Sequence, residues 1–163
     1  ARAAHTMMSG FGGKRIAYDP FVPAEDMEKV GVRKVQIDEL FTHADILSLH
    51  LPLTEETKHL VNTERLAAMK KTAIVVNTAR GPLIDTVALA EALESGEIAG
   101  AGIDVFEEEP LSNEHPLRMA KHALLTSHVA WYSESSIPRL QQLAAEEVVR
   151  GLKGEKLKNQ VNK

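Results

Sequence analysis

The sequence predicts an α/β domain in which a parallel sheet carries helices on both faces. Three observations predict it. Apolar runs such as "DILSLHL", "AIVVNT" and "AGAGIDVF" are continuous, as in strands buried on both sides. Each is followed by a stretch with helical signals. No repeat, heptad seam or low-complexity tract interrupts that alternation. Right-handed crossovers then wind such a chain into a doubly wound sheet.

The elements follow in order. Residues 1–11 read as a helix that Gly12-Gly13 stops. "KRIAYD" (14–19) is a short strand ending in Asp19, and Pro20 and Pro23 mark the loop after it. "AEDMEKVG" is a short helix closed by Gly31. "VRKVQ" (32–36) is a weak strand, and Asp38 can cap the turn "ELFTHA". "DILSLHL" (45–51) is a buried strand that Pro52 ends. "NTERLAAMK" (62–70) is helical with Asn62 as its cap. "AIVVNT" (73–78) is the clearest strand. Asp85 caps "TVALAEALESG", which Gly96 closes. "AGAGIDVF" (99–106) is the next strand, and a loop with Pro110 and Pro116 leads to the last one, "HALLTS" (122–127). "SSIPRLQQLAAEEVVRGLKG" forms a long final helix with Pro138 in its opening turn.

The bulk properties narrow the function classes. A chain of 163 residues can bury a substantial core, and with only 4% aromatic residues that core must be aliphatic. A net charge of −4 argues against nucleic acid as a direct partner, because phosphate binding wants a basic face. The locally basic tail "RGLKGEKLKNQVNK" complements a helix C-terminus and otherwise reads as solvated chain. There is no cysteine, which rules out disulfides, thiolate nucleophiles and cysteine-ligated zinc, and fits a reducing cytoplasm. No metal site is expected. No apolar stretch has the length of a membrane span. "ARAAHTMMSGFG" lacks the pattern of a signal peptide, and its opening in mid-helix creates the expectation that a true beginning lies upstream.

In parallel sheets of this kind, ligands bind beyond the carboxyl ends of the strands. The residues there are Asp19, His50, Thr78-Ala79-Arg80, Asp104 and His128. Asp19 can accept hydrogen bonds from an adenosine ribose, and its charge repels a 2′-phosphate, which favours NAD over NADP. It can equally be a turn aspartate before Pro20. The glycine fingerprint that accompanies such an acid lies about 20 residues upstream, ahead of Ala1. Arg80, in the constrained turn "TARGP", can fork onto a carboxylate with two parallel hydrogen bonds. That suits a small 2-keto or 2-hydroxy acid better than a surface ion pair. In "DVFEEEP", Glu107 and Glu108 read as a solvated acidic patch. Glu109 is weighed differently because of His128. A lone histidine after a strand is more often structural, but a carboxylate held against an imidazole orients the ring and favours its protonated form. The imidazolium can then protonate a carbonyl oxygen while hydride reaches the carbon. Arg80, Glu109 and His128 together form a coherent keto-acid reductase set.

Taken in order, "GFGGKRIAYDP", "LHLPLTEETKHLVN", "VVNTARGPLID.VALAEAL", "GAGIDVFEEEP" and "LLTSHVAW" resemble the D-isomer-specific 2-hydroxyacid dehydrogenases over nearly the whole chain. The resemblance implies a Rossmann-like domain that lacks its first strand and the separate substrate domain. It implies that Arg80 binds the substrate carboxylate and carbonyl, that His128 is the general acid/base, that Glu109 partners it, and that Asp19 holds the adenine ribose. It further implies that Thr78, Ala79 and Asp104 contact the nicotinamide end and that Leu51 and Pro52 pack near the adenine. Formate dehydrogenases of the family carry Gln where this chain has Glu109, so the glutamate argues for carbonyl–hydroxyl chemistry. "HVAWYSESS" and the closing "LKNQVNK" look like the C-terminal-binding protein branch and its bacterial relatives, in which Trp131 would line the substrate pocket and favour an apolar tail.

The expected organisation is an NAD-binding domain over 1–135, with a helix and tail over 136–163 that would pack back on an absent substrate domain. The family likeness makes a homodimer the default. The leading expectation is an NAD-dependent D-2-hydroxyacid dehydrogenase. Two others stand beside it: an NAD(H)-sensing scaffold of corepressor type, and an inactive nucleotide-binding fragment.

Overall fold

A computed structural model describes residues 1–161. Ala1–His128 forms one compact unit, and the chain from Val129 onward forms a second. The first unit holds six parallel-paired strands. β1 (Ile16–Ala17) pairs with β2 (Arg33–Lys34), and β3 (Ile46–Leu49), β4 (Ile74–Asn77), β5 (Gly100–Ile103) and β6 (Ala123–Leu125) follow one another in a four-stranded sheet. All pairs are parallel, as continuous apolar runs separated by helices require. No ladder joins the two groups among the described residues.

The helices start and stop where local chemistry directs. Helix α1 (Arg2–Met8) passes into a 3₁₀ turn at Ser9–Phe11, and Gly12 takes a φ of 74° that ends it. Helix α2 (Ala24–Glu28) is followed by Gly31 at a φ of 76°. Helix α3 (Ile37–His43) begins ahead of Asp38, with Gln36 at the cap position. This corrects the expected cap: Ile37 packs against the core, so the helix opens before it, and Asp38 lies in the first turn. There its charge still complements the helix N-terminus. In α4 (Thr63–Ala67) the Asn62 side chain accepts from Arg65 N–H, and in α5 (Thr86–Ser95) Asp85 accepts from Ala88 N–H. Gly96 closes α5 in the left-handed conformation. Helix α6 (Ser136–Leu152) lies in the second unit, with Pro138 in its first turn.

The core forms on one face of the larger sheet. Register puts Leu47, Leu49, Val75, Ala101 and Ile103 on that face, packed with Phe41, Leu66, Leu83, Ile84, Leu89, Leu93 and Leu117. Alanines at 88, 90 and 92 let α5 approach closely. The other face carries Ile46, Ile74 and Leu124, which are 59%, 40% and 70% exposed. The two faces are therefore covered to different extents. Continuous apolar runs mark strands able to be buried on both sides, while burial itself depends on what packs there. The strands are also shorter than the apolar runs, because hydrogen bonding to a neighbour ends before side-chain hydropathy does.

Candidate active site

Parallel pairing brings the carboxyl ends of β3, β4, β5 and β6 to one edge of the sheet. There β4 hands over to Arg80 through a buried amide. Asn77, 1% exposed, donates from Nδ2 to Arg80 O at 2.8 Å, and its Oδ1 accepts from Ala79 N–H at 3.0 Å. The turn is therefore held by its own side chain, much as a cap holds a helix. Arg80 is exposed and bends Nη1 onto Ala79 O at 2.6 Å; no carboxylate of the described residues pairs with it. Gly81 follows. A β-carbon there would lie 1.9 Å from Phe106 O and 2.7 Å from Glu107 N, so the Arg80 turn rests directly on the backbone of the turn that carries the glutamates. Glycine is required at this position by close approach.

The second turn begins at Asp104, which is 3% exposed. Its N–H donates to Asn77 O, its carbonyl accepts from His128 N–H at 2.8 Å, and its carboxylate accepts from the Thr126 hydroxyl. Glu109 Oε1 accepts from Phe106 N–H at 3.0 Å, and Oε2 faces His128 Nδ1 at 2.7 Å. A carboxylate only accepts, so Nδ1 carries the proton and Nε2 is the other ring nitrogen. The His128 hydrogen bond, and then the Phe106 N–H, outweigh slight burial and hold the Glu109 carboxyl below its ordinary value of 4.5. His128 itself sits at a φ of 57°, a left-handed conformation that costs a non-glycine residue on the order of 1–3 kcal/mol. Glu109 from the side chain and Asp104 from the backbone keep it there.

The remaining expected site residues are placed as follows. Asp19 follows β1, and its Oδ1 accepts from Phe21 N–H at 2.8 Å and Val22 N–H at 3.3 Å. One oxygen thus holds the turn, and among the described residues no hydrogen bond reaches Oδ2. Leu51 is half-buried against the core, and Pro52 is exposed after β3. His50, just before them, shares a 2.9 Å contact with the Ser48 hydroxyl, and its burial pushes its pKa down. Thr78 is exposed and Ala79 half-buried. Trp131 belongs to the second unit and meets Tyr132 edge to face, with ring centroids 5.7 Å apart. The last residues of "LKNQVNK", Asn162 and Lys163, lie outside the described residues.

Two features escaped the sequence. One is Asn77, whose only signal is an amide breaking an apolar strand immediately before a turn. The other corrects the reading of Glu107 as solvated. Its side chain is 29% exposed and makes three hydrogen bonds: Oε1 accepts from Thr86 N–H at 3.0 Å and Thr86 Oγ1 at 2.8 Å, and Oε2 faces His59 Nε2 at 2.7 Å. Partial burial pushes its carboxyl up, but the Thr86 N–H, the His59 imidazole and the Thr86 hydroxyl more than offset it, and the net shift is down. Glu108 is exposed and makes no side-chain hydrogen bond among the described residues.

Parallel strands with polar groups gathered at their carboxyl edge define a nucleotide-binding α/β domain. The chain belongs to the D-isomer-specific 2-hydroxyacid dehydrogenases: the family profile described as "D-isomer specific 2-hydroxyacid dehydrogenase, NAD binding domain" matches residues 1–130. The glyoxylate reductase of Thermofilum pendens is 45% identical over 158 residues, which is 96% of this chain and 46% of that protein. The D-3-phosphoglycerate dehydrogenase of Methanocaldococcus jannaschii is 44% identical over 153 residues, 93% of this chain and 29% of that protein. The NAD-complexed D-isomer-specific 2-hydroxyacid dehydrogenase of Lactobacillus delbrueckii ssp. bulgaricus superposes with a TM-score of 0.85 at 33% identity, covering 98% of this chain and 52% of that one. This chain thus spans about half, or less, of the relatives it matches. Among the described residues, no helix is long and apolar enough to cross a membrane.

Proposed function

We propose that this chain is the nucleotide-binding part of an NAD(H)-dependent D-2-hydroxyacid dehydrogenase, which interconverts a small 2-keto acid and its 2-hydroxy acid. The observation that carries the reading is the 2.7 Å His128–Glu109 pair, joined through Phe106 to the turn that bears Arg80. The bound nicotinamide supplies or takes up the hydride. The protein's residues do the rest. Arg80 grips the substrate carboxylate with its fork and turns the neighbouring carbonyl toward the imidazole. His128, oriented through Nδ1 by Glu109, gives a proton from Nε2 to the carbonyl oxygen on reduction and takes it back on oxidation. Glu109 holds the ring by accepting the hydrogen bond from its Nδ1. Asp19 offers an acceptor to the adenine ribose and repels a 2′-phosphate. Thr78, Ala79 and Asp104 border the nicotinamide end, and Leu51 and Pro52 the adenine.

The relatives named glyoxylate reductase and D-3-phosphoglycerate dehydrogenase support a short 2-keto acid as substrate. Trp131 supports a pocket wall that accepts an apolar tail, and "HVAWYSESS" supports a position near the C-terminal-binding protein branch. Helix α6, with Leu140, Leu143, Val148 and Leu152 exposed, supports a role for 136–163 as cover for a substrate domain. We carry the homodimer on family likeness and a cytoplasmic setting on the absence of cysteine. The test is NADH oxidation by the full-length protein against a panel of keto acids. His128→Ala is expected to lose about 10²–10⁴-fold, the range for general acid–base catalysis. Wild type and variant that are equally inert on the panel defeat the reading.

A further inference from the structure

The mechanism leaves one set of polar groups unused. His59, Glu107, Thr86 and His115 form a connected network away from the His128–Glu109 pair. The connections have a definite sense. Thr86 Oγ1, whose residue is 2% exposed, donates to Glu107 Oε1 and therefore accepts from His115 Nε2, 3.2 Å away. His115 Nδ1 in turn accepts from Leu117 N–H at 3.2 Å, which fits the same neutral tautomer. Glu107 is the only acid in the network, and it spans two segments distant in sequence. Its Oε1 also takes the Thr86 N–H, one of the orphan donors at the start of α5, while Asp85 takes another.

These partners bracket the segment that follows the Arg80 turn. His59 N–H donates to Pro82 O at 2.8 Å, Val61 N–H donates to Leu83 O at 3.0 Å, and Asp85 N–H donates to Val61 O at 3.0 Å. The segment 59–61 therefore runs beside 82–85, and Thr86 closes the far end. Glu107 reaches both sides of that segment from the turn that carries Glu109, where Gly81 rests on Phe106. His59 is held in a left-handed conformation, φ 49°, with its imidazole on the carboxylate.

We propose that Glu107 is a positioning residue: gripped by His59 and Thr86, it latches the Arg80 turn onto the Glu109 turn and so sets the guanidinium for the substrate carboxylate. The proposal rests on the dehydrogenase reading for the role of Arg80, but the latch itself is a matter of structure. Both are tested on the full-length protein. In Glu107→Ala, and in His59→Ala as the milder lesion, amide hydrogen exchange over 79–86 quickens while that of β4 stays as in wild type. Unchanged exchange over 79–86 in both variants overturns the proposal, whatever the activity. In kinetics with glyoxylate, Glu107→Ala raises KM enough to lower kcat/KM by about 10- to 100-fold, the scale on which an ångström of misplacement acts, while kcat and the KM for NADH hold. His59→Gln, which keeps an Nε2 donor, recovers most of what His59→Ala loses. In an Arg80→Lys background Glu107→Ala adds little, because the two act through one contact. An undiminished effect in that background, or a fall in kcat with KM unmoved, overturns the positioning role. A wild-type protein inert toward every keto acid defeats the dehydrogenase reading, and the exchange measurement then still decides the latch.

Discussion

Replacing Gly81 by alanine adds one methyl group at the point where the Arg80 turn meets the turn that carries the glutamates. Its φ lies outside the left-handed region, so alanine can adopt the backbone and the change probes close approach alone. The added carbon would lie 1.9 Å from Phe106 O and 2.0 Å from Phe106 C, both backbone atoms that cannot swing aside as a side chain can. Reaching ordinary contact, near 3.4 Å, requires the turns to part by roughly 1.5 Å. Overpacking of this kind costs about 1–3 kcal/mol. With an m-value of about 2 kcal/mol/M, the urea midpoint of the variant falls by roughly 0.5–1.5 M. Displacing Arg80 from His128 by more than an ångström also lowers kcat/KM for a keto acid by on the order of 100-fold. The assays are urea unfolding followed by circular dichroism and NADH oxidation on the full-length protein. A variant with the wild-type midpoint and wild-type kcat/KM would refute the contact between the turns and everything built on it.

Two further outcomes follow from the same edge of the sheet. Asn77→Ala strands Ala79 N–H and Arg80 O, and costs about 1–3 kcal/mol in urea unfolding, with a raised keto-acid KM because the turn no longer holds its shape. Glu109→Gln tests the sign of the depressed carboxyl. A folded-state pKa below the ordinary 4.5 means that the ionised group adds stability above that value and loses it as pH falls through the lowered one. The difference in melting temperature between wild type and Glu109→Gln is therefore expected to stay level above pH 4.5 and to shrink below it. A difference that grows on acidification would contradict the pairing.

Much of this site was legible residue by residue. Asp104 and His128 follow apolar runs, Arg80 sits in a turn bounded by glycine and proline, and the Glu109–His128 pairing is met by a 2.7 Å contact. What could not be read was the partner of Glu107. The glutamate stands in a run of three identical residues, and nothing local distinguishes the one that reaches His59, 48 positions earlier, from its neighbour at 108. The cap of α3 also shifted, because Ile37 was drawn to the core ahead of a good capping residue.

By itself the sequence determined the parallel α/β class, the caps at Asn62 and Asp85, the stop at Gly96, and the residue types that gather at the strand ends. Each depends on hydropathy period or on hydrogen bonds spanning a few residues, which are properties of a short window. The tertiary structure alone decided which face of the sheet is covered, how closely Gly81 approaches Phe106, and which glutamate braces which turn. Those outcomes depend on where two segments far apart in the chain cross. Only the packed fold sets that distance.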